Sequence, residues 1–219
     1  MSLSLLFVDE LRGFYKSKVM LFLWVGLPAL TVILRLLDPA TEGMPFTMVS
    51  ALLVSSIGGT LAAVMLAVSI INEKEKDVYD LFLIRPIKRR DLIISKFGSV
   101  YLCIGIASAL ALLTGVIIDF IEIGGFPEAI IEDSARYLVT SLSMMAISSS
   151  AGVLIGVLAP SVLVGVVLVI YGANQISIIP SLPALANTSN QMLFSLGLGG
   201  SLAVVLLGLS IFFMNRKQF

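Results

Sequence analysis

Six stretches of this 219-residue chain are apolar over 19 to 26 residues each, and that repetition limits what it can fold into. They cover residues 19–37, 46–71, 97–118, 137–159, 161–179 and 192–214. An α-helix rises about 1.5 Å per residue, so about 20 apolar residues cross the hydrocarbon core of a bilayer. Within lipid a spanning segment must satisfy its own backbone hydrogen bonds, which a helix does. The pattern predicts an all-α membrane protein with six transmembrane helices, in one transmembrane domain over residues 1–219. Composition agrees: 58% of residues are hydrophobic and 13% charged, against about 45–50% and 25% in soluble domains.

The distribution of charge says more than its sum, which is zero. Twelve of the fourteen Lys and Arg fall in the N-terminal segment, in the loop after the second span, or in the tail. Only Arg35 and Arg136 lie on the other side. Positive residues mark the cytoplasmic side. The expected topology therefore has both termini and the 72–96 loop cytoplasmic, in a cell (plasma) membrane. The first residues lack the basic start and continuous apolar run of a cleaved leader, so the first span is expected to remain.

The chain has no histidine and one cysteine, Cys103. Histidine bases, His/Cys metal clusters and internal disulfides are thereby excluded. No catalytic, cofactor-binding or metal site is expected, and zero net charge gives no hint of a nucleic-acid partner. An intramembrane lipid-modifying or proteolytic enzyme would need a nucleophile and a base together. Ser148, Ser149 and Ser150 have no evident base and read as helix-packing residues. Arg35 and Asp119 read as charges snorkelling or pairing at outer span ends. Trp24 gives no clear interface signal.

Three segments stand apart from the spans. In residues 2–17, Leu3, Leu6, Phe7, Leu11 and Phe14 share one helical face, which predicts an amphipathic helix in the membrane interface. Ala159-Pro160-Ser161 leaves almost no loop, and Pro160 forces a tight hairpin between spans four and five. Gly152 and Gly156 nearby allow close helix contact. Residues 174–190 are polar, uncharged and broken by Pro180 and Pro183. They read either as a re-entrant outer segment or as a short outer loop. Asn174 and Gln175 are the candidates for a substrate pathway, because polar groups at membrane depth are often functional.

The hydrophilic loop carries the most information. Glu73, Glu75 and Asp77 open it with acids suited to a helix start. Val78, Leu81 and Phe82 then recur at i, i+3 and i+4, giving a short helix an apolar face outside the bilayer. Pro86 ends it. Such a helix either lies on the membrane or fills a groove on a partner.

Here the sequence resembles the permease subunit of type-2 ABC transporters. Glu73-Lys74-Glu75 matches the acidic-basic-acidic triplet that ends the family's second span. Asp80, Leu81, Pro86, Arg89, Asp91 and Lys96 follow at the family's spacing. Asp77 and Val78 stand where the family has Gly-Thr, and Arg85 where it has Ser or Thr. The resemblance implies a cytosolic coupling helix between spans two and three, docking on a separate ATP-binding subunit. ATPase coupling then falls to Glu73, Glu75, Val78, Asp80, Leu81, Phe82, Pro86 and Arg89. It also implies a dimer with a second permease copy or homologue, surrounded by membrane lipids, and export as the usual direction. A Gly-x-x-x-x-Gly-Lys-Ser/Thr phosphate loop is absent from the chain, so ATP in that mode requires another subunit. Two alternatives stand beside this reading: a haem-exporter-type permease in cytochrome maturation, and the membrane-embedded lipid-modifying enzyme.

Overall fold

The computed structural model describes residues 3–37, 46–75, 89–123, 128–182 and 191–216; the side chains of 89, 122, 123, 128–133 and 191 are outside that description. Among these residues every regular element is helical. Six helices are long and apolar enough to cross a membrane, so the protein is an all-α, multi-pass membrane protein. In chain order the elements are α1 (Leu3–Tyr15), α2 (Lys18–Leu36), α3 (Phe46–Glu75), α4 (Arg89–Ile123) and α5 (Glu128–Leu158). The fifth span is composite: α6 (Val162–Leu168), a π turn (Val169–Ala173), α7 (Asn174–Ser177) and a 3-10 turn (Ile179–Ser181). α8 (Gln191–Arg216) completes the bundle.

α1 is a helix of its own and not an extension of the first span. The chain breaks at Lys16–Ser17, where Ser17 is extended (φ −70°, ψ 135°). The Ser17 hydroxyl accepts from the Met20 N–H at 3.3 Å, an N-cap that fills one of the free donors of α2. The apolar face of α1 meets α4. Leu6 is buried, Phe7 lies against Gly98, and Leu11 and Phe14 reach the main core. Only Leu3 of the expected stripe stays exposed.

Helices α3, α4 and α5 have 30, 35 and 31 residues and extend beyond the apolar runs. At 1.5 Å per residue they reach about 45–53 Å, well past a hydrocarbon core of about 30 Å. Hydropathy ends at the first charges, but Glu, Lys and Arg are good helix formers in water, so the helix continues.

The most extensive interface joins α3 to α5, and small residues make it. Gly59, Ala63 and Ala67 on α3 face Ser148, Gly152 and Gly156 on α5, each set repeating every four or so residues. A Cβ built on Gly152 would lie 2.5 Å from the Ala63 Cα and carbonyl oxygen, so only glycine fits. Lipid supplies no hydrophobic force between helices, which leaves such close packing to hold them. Ser148 packs on Gly59 and Ser150 donates to the Ile147 carbonyl, both in keeping with a packing role. Gly199 of α8 meets Ser143 of α5 in the same manner.

The hairpin expected at Pro160 is present. α5 ends at Leu158, and Ser161 (φ −150°, ψ 159°) caps α6. The fifth span runs to Ser181, two residues past the limit read from hydropathy, with Asn174–Ser177 α-helical and Ile179–Ser181 a 3-10 turn. Residues 183–190 lie outside the described part.

Candidate coupling site

Residue Lys96 lies about two turns into α4 and is only 2% exposed. A buried ammonium is tolerated when paired and hydrogen-bonded. Its Nζ lies 2.5 Å from Glu73 Oε1 on α3 and 2.9 Å from Glu10 Oε1 on α1. It also donates to the Ser69 hydroxyl at 3.2 Å. One cation thus joins three helices. Glu73 Oε2 is buried and has no hydrogen-bond partner among the described residues.

The neighbouring Lys74 turns the other way. Its Nζ donates to the Ala159 carbonyl at 3.3 Å, at the C-terminal end of α5. The last carbonyls of a helix lack intrahelical donors and carry the negative end of its dipole, so a lysine suits that position. Glu75 ends α3 and is exposed. The Glu73-Lys74-Glu75 triplet therefore ties α1, α4 and the α5–α6 hairpin to the end of α3.

The cluster lies where the two helices that flank residues 76–88 meet: α3 ends at Glu73–Glu75, and α4 begins with Arg89–Lys96. Val78, Asp80, Leu81, Phe82 and Pro86 lie outside the described residues, as does the side chain of Arg89. Lys96 was readable from the motif spacing. Glu10, 86 positions away, was not: one acid among several on an amphipathic helix carries no sign of its partner.

The two pathway candidates separate. Asn174 is half-buried, and its Oδ1 accepts from the Ser56 hydroxyl of α3 at 3.3 Å. Gln175 is exposed. Sequence reasoning missed the π turn just before them, where the Asn174 N–H reaches five residues back to the Val169 carbonyl. Such turns frequently occur at functional positions in helices. β-branched Val and Ile in an apolar run give no warning of one.

Polar contacts also join spans at other depths. The Thr31 and Thr114 hydroxyls, 2.7 Å apart, connect α2 to α4. Asp119, expected to snorkel or pair, is buried at the far end of α4 and accepts from both the N–H and the hydroxyl of Thr47. Trp24 anchors inward: its indole N–H donates to the Cys103 carbonyl at 3.1 Å, and its ring makes an edge contact with Tyr15.

Six spans, a short N-terminal helix locked beside them and a charged cluster at the root of one loop define a multi-pass helical membrane protein of transporter type. The chain belongs to the ABC-2 transporter family: the family model described as "ABC-2 family transporter protein" matches residues 11–216. No curated protein matches the sequence.

Proposed function

We propose that this chain is the membrane-spanning permease of an ABC transporter, driven by ATP hydrolysed on a separate subunit. Family membership supplies the class, an ABC transporter permease. The observation that carries the mechanism is the Glu10–Lys96–Glu73 cluster at both roots of the 76–88 loop. A load on that loop reaches α1, α3 and α4 together, because one buried ammonium holds all three.

In this reading the coupling helix around residues 75–84 docks on the ATPase through Val78, Leu81 and Phe82. Glu73 and Glu75 set the end of α3, Pro86 and Arg89 lead into α4, and Asp80 flanks the docking face. Closure of the ATPase pair around ATP then favours one of two arrangements of the spans. The permease works with a second copy or homologue, in a plasma membrane with both termini cytoplasmic. It exports a substrate that passes near Asn174. The 174–190 segment shapes the outer end of that path.

The test is a pull-down from native membranes with Leu81→Asp and Phe82→Asp together. Wild type should recover ATP-hydrolysing activity and the double variant should lose at least 90% of it, as expected for two apolar anchors turned to charge. Equal recovery would remove the loop as the docking element.

A further inference from the structure

An apolar groove of about 310 Å³ opens between α1, α2 and α4, away from the charged cluster. Leu11, Arg12 and Tyr15 of α1, Trp24 of α2 and Leu102, Cys103 and Ile106 of α4 line it. The lining surface is wholly apolar, although Arg12 contributes to it, so the Arg12 stem lies along the wall. Trp24 lines the groove while its indole N–H is bonded to the Cys103 carbonyl, so it offers no free donor to a polar occupant.

We infer that this groove is a binding site for an anionic phospholipid of the leaflet on the N-terminal side. One acyl chain lies along α4 and the phosphate sits at Arg12. Three observations favour that occupant. The groove is open to the bilayer, since Leu102 and Ile106 are each more than 40% exposed on a membrane-spanning helix. It runs in the right direction: Ile106 is ten residues beyond Lys96, about 15 Å deeper along α4. Its polar rim is cationic. Arg12 and Lys16 are exposed and Lys18 begins α2 at the same end. Arg12 makes no ion pair with any described residue, whereas Glu10, on the same helix, is committed to Lys96. A guanidinium matches phosphate geometry with two parallel donors.

The pairing gives α1 two attachments of different kinds. Glu10 binds it to the protein, and Arg12 binds it to the membrane through the lipid. A change in the charge of that leaflet would then act on the same helix that Lys96 ties to the loop roots.

Trp24 is the only tryptophan in the chain, so its fluorescence reports the groove directly. The full-length protein is reconstituted in phosphatidylcholine vesicles carrying a minor fraction of lipid brominated on the acyl chains. The brominated lipid is phosphatidylglycerol in one series and phosphatidylcholine in the other. The anionic lipid should quench Trp24 with about fivefold higher apparent affinity, the factor expected for one surface cation. Arg12→Gln should bring the ratio below two, and Arg35→Gln at the opposite end of α2 should leave it unchanged. A wild-type ratio near one overturns the inference. So does a high ratio that survives Arg12→Gln, which would assign the preference to general surface charge. Protection of Trp24 from both brominated lipids also overturns it, and would place a protein surface over the groove.

Discussion

The two ends of α4 hold a buried charge in different ways. Lys96 and Asp119 are 23 residues apart, about 35 Å along the helix, close to the two faces of a bilayer. Asp119 joins α4 to a single neighbour. It accepts the Thr47 N–H and hydroxyl at the first turn of α3, where free backbone donors and the helix dipole favour a carboxylate. Lys96 joins α4 to two helices at once, through two carboxylates. One end is a staple between adjacent helices. The other is a junction where displacement of any member changes the partners of the rest.

Substitutions at four sites would break or sharpen that contrast, taken from the largest effect downward. Gly152→Val strikes neither end but the seam between them. Its side chain would overlap the Ala63 backbone, and overpacking against backbone should cost more than about 4 kcal/mol. Loss of monodisperse protein on size-exclusion chromatography in detergent is the expected result. Retention of the wild-type profile would show that the seam gives way.

Lys96→Met comes next. It leaves two carboxylates facing each other without their cation, at roughly 2–4 kcal/mol, below the range for fully buried pairs because both glutamates keep about a quarter of their exposure. Thermal unfolding in detergent should shift down clearly. Adding Glu73→Gln and Glu10→Gln in the same chain should recover part of the loss, since the repulsion is then gone.

Asp119→Ala should cost about 1–2 kcal/mol, the range for a lost N-terminal cap. Asp119→Asn should cost less, because the amide oxygen still accepts from Thr47. Equal losses for the two would show that charge, not the acceptor, does the holding. Glu10→Gln should be the mildest, under about 1 kcal/mol, as Lys96 keeps Glu73 and Ser69. The contrast predicts that it nonetheless changes coupling: ATP hydrolysis by the associated subunit should be altered in Glu10→Gln and unchanged in Asp119→Asn.

The spans were legible because bilayer thickness imposes a length on apolar runs: all six correspond to observed helices, four of them starting within a residue of the expected position and the third and fourth starting eight and nine residues earlier. Helix ends were less legible. Glu73–Glu75 and Arg89–Lys96 read as loop by hydropathy, yet they are the extended ends of α3 and α4. The candidate site was half legible. The triplet and Lys96 stood out by their resemblance to the family's motif, and the apolar face of α1 by its period. What the triplet binds did not, since Glu10 and the Ala159 carbonyl are brought in by the fold from distant parts of the chain. Trp24 was passed over for a related reason: its role rests on an inward hydrogen bond to a backbone carbonyl 79 residues away.

The most direct measurement puts a photo-crosslinking residue at position 82 and irradiates intact cells. Grip on the loop by a nucleotide-hydrolysing subunit predicts a covalent adduct with an ATP-binding protein, formed at 82 and absent when the same group is placed at position 193, exposed near the opposite end of the spans on α8. Adducts confined to lipid, or to this polypeptide itself, would contradict it.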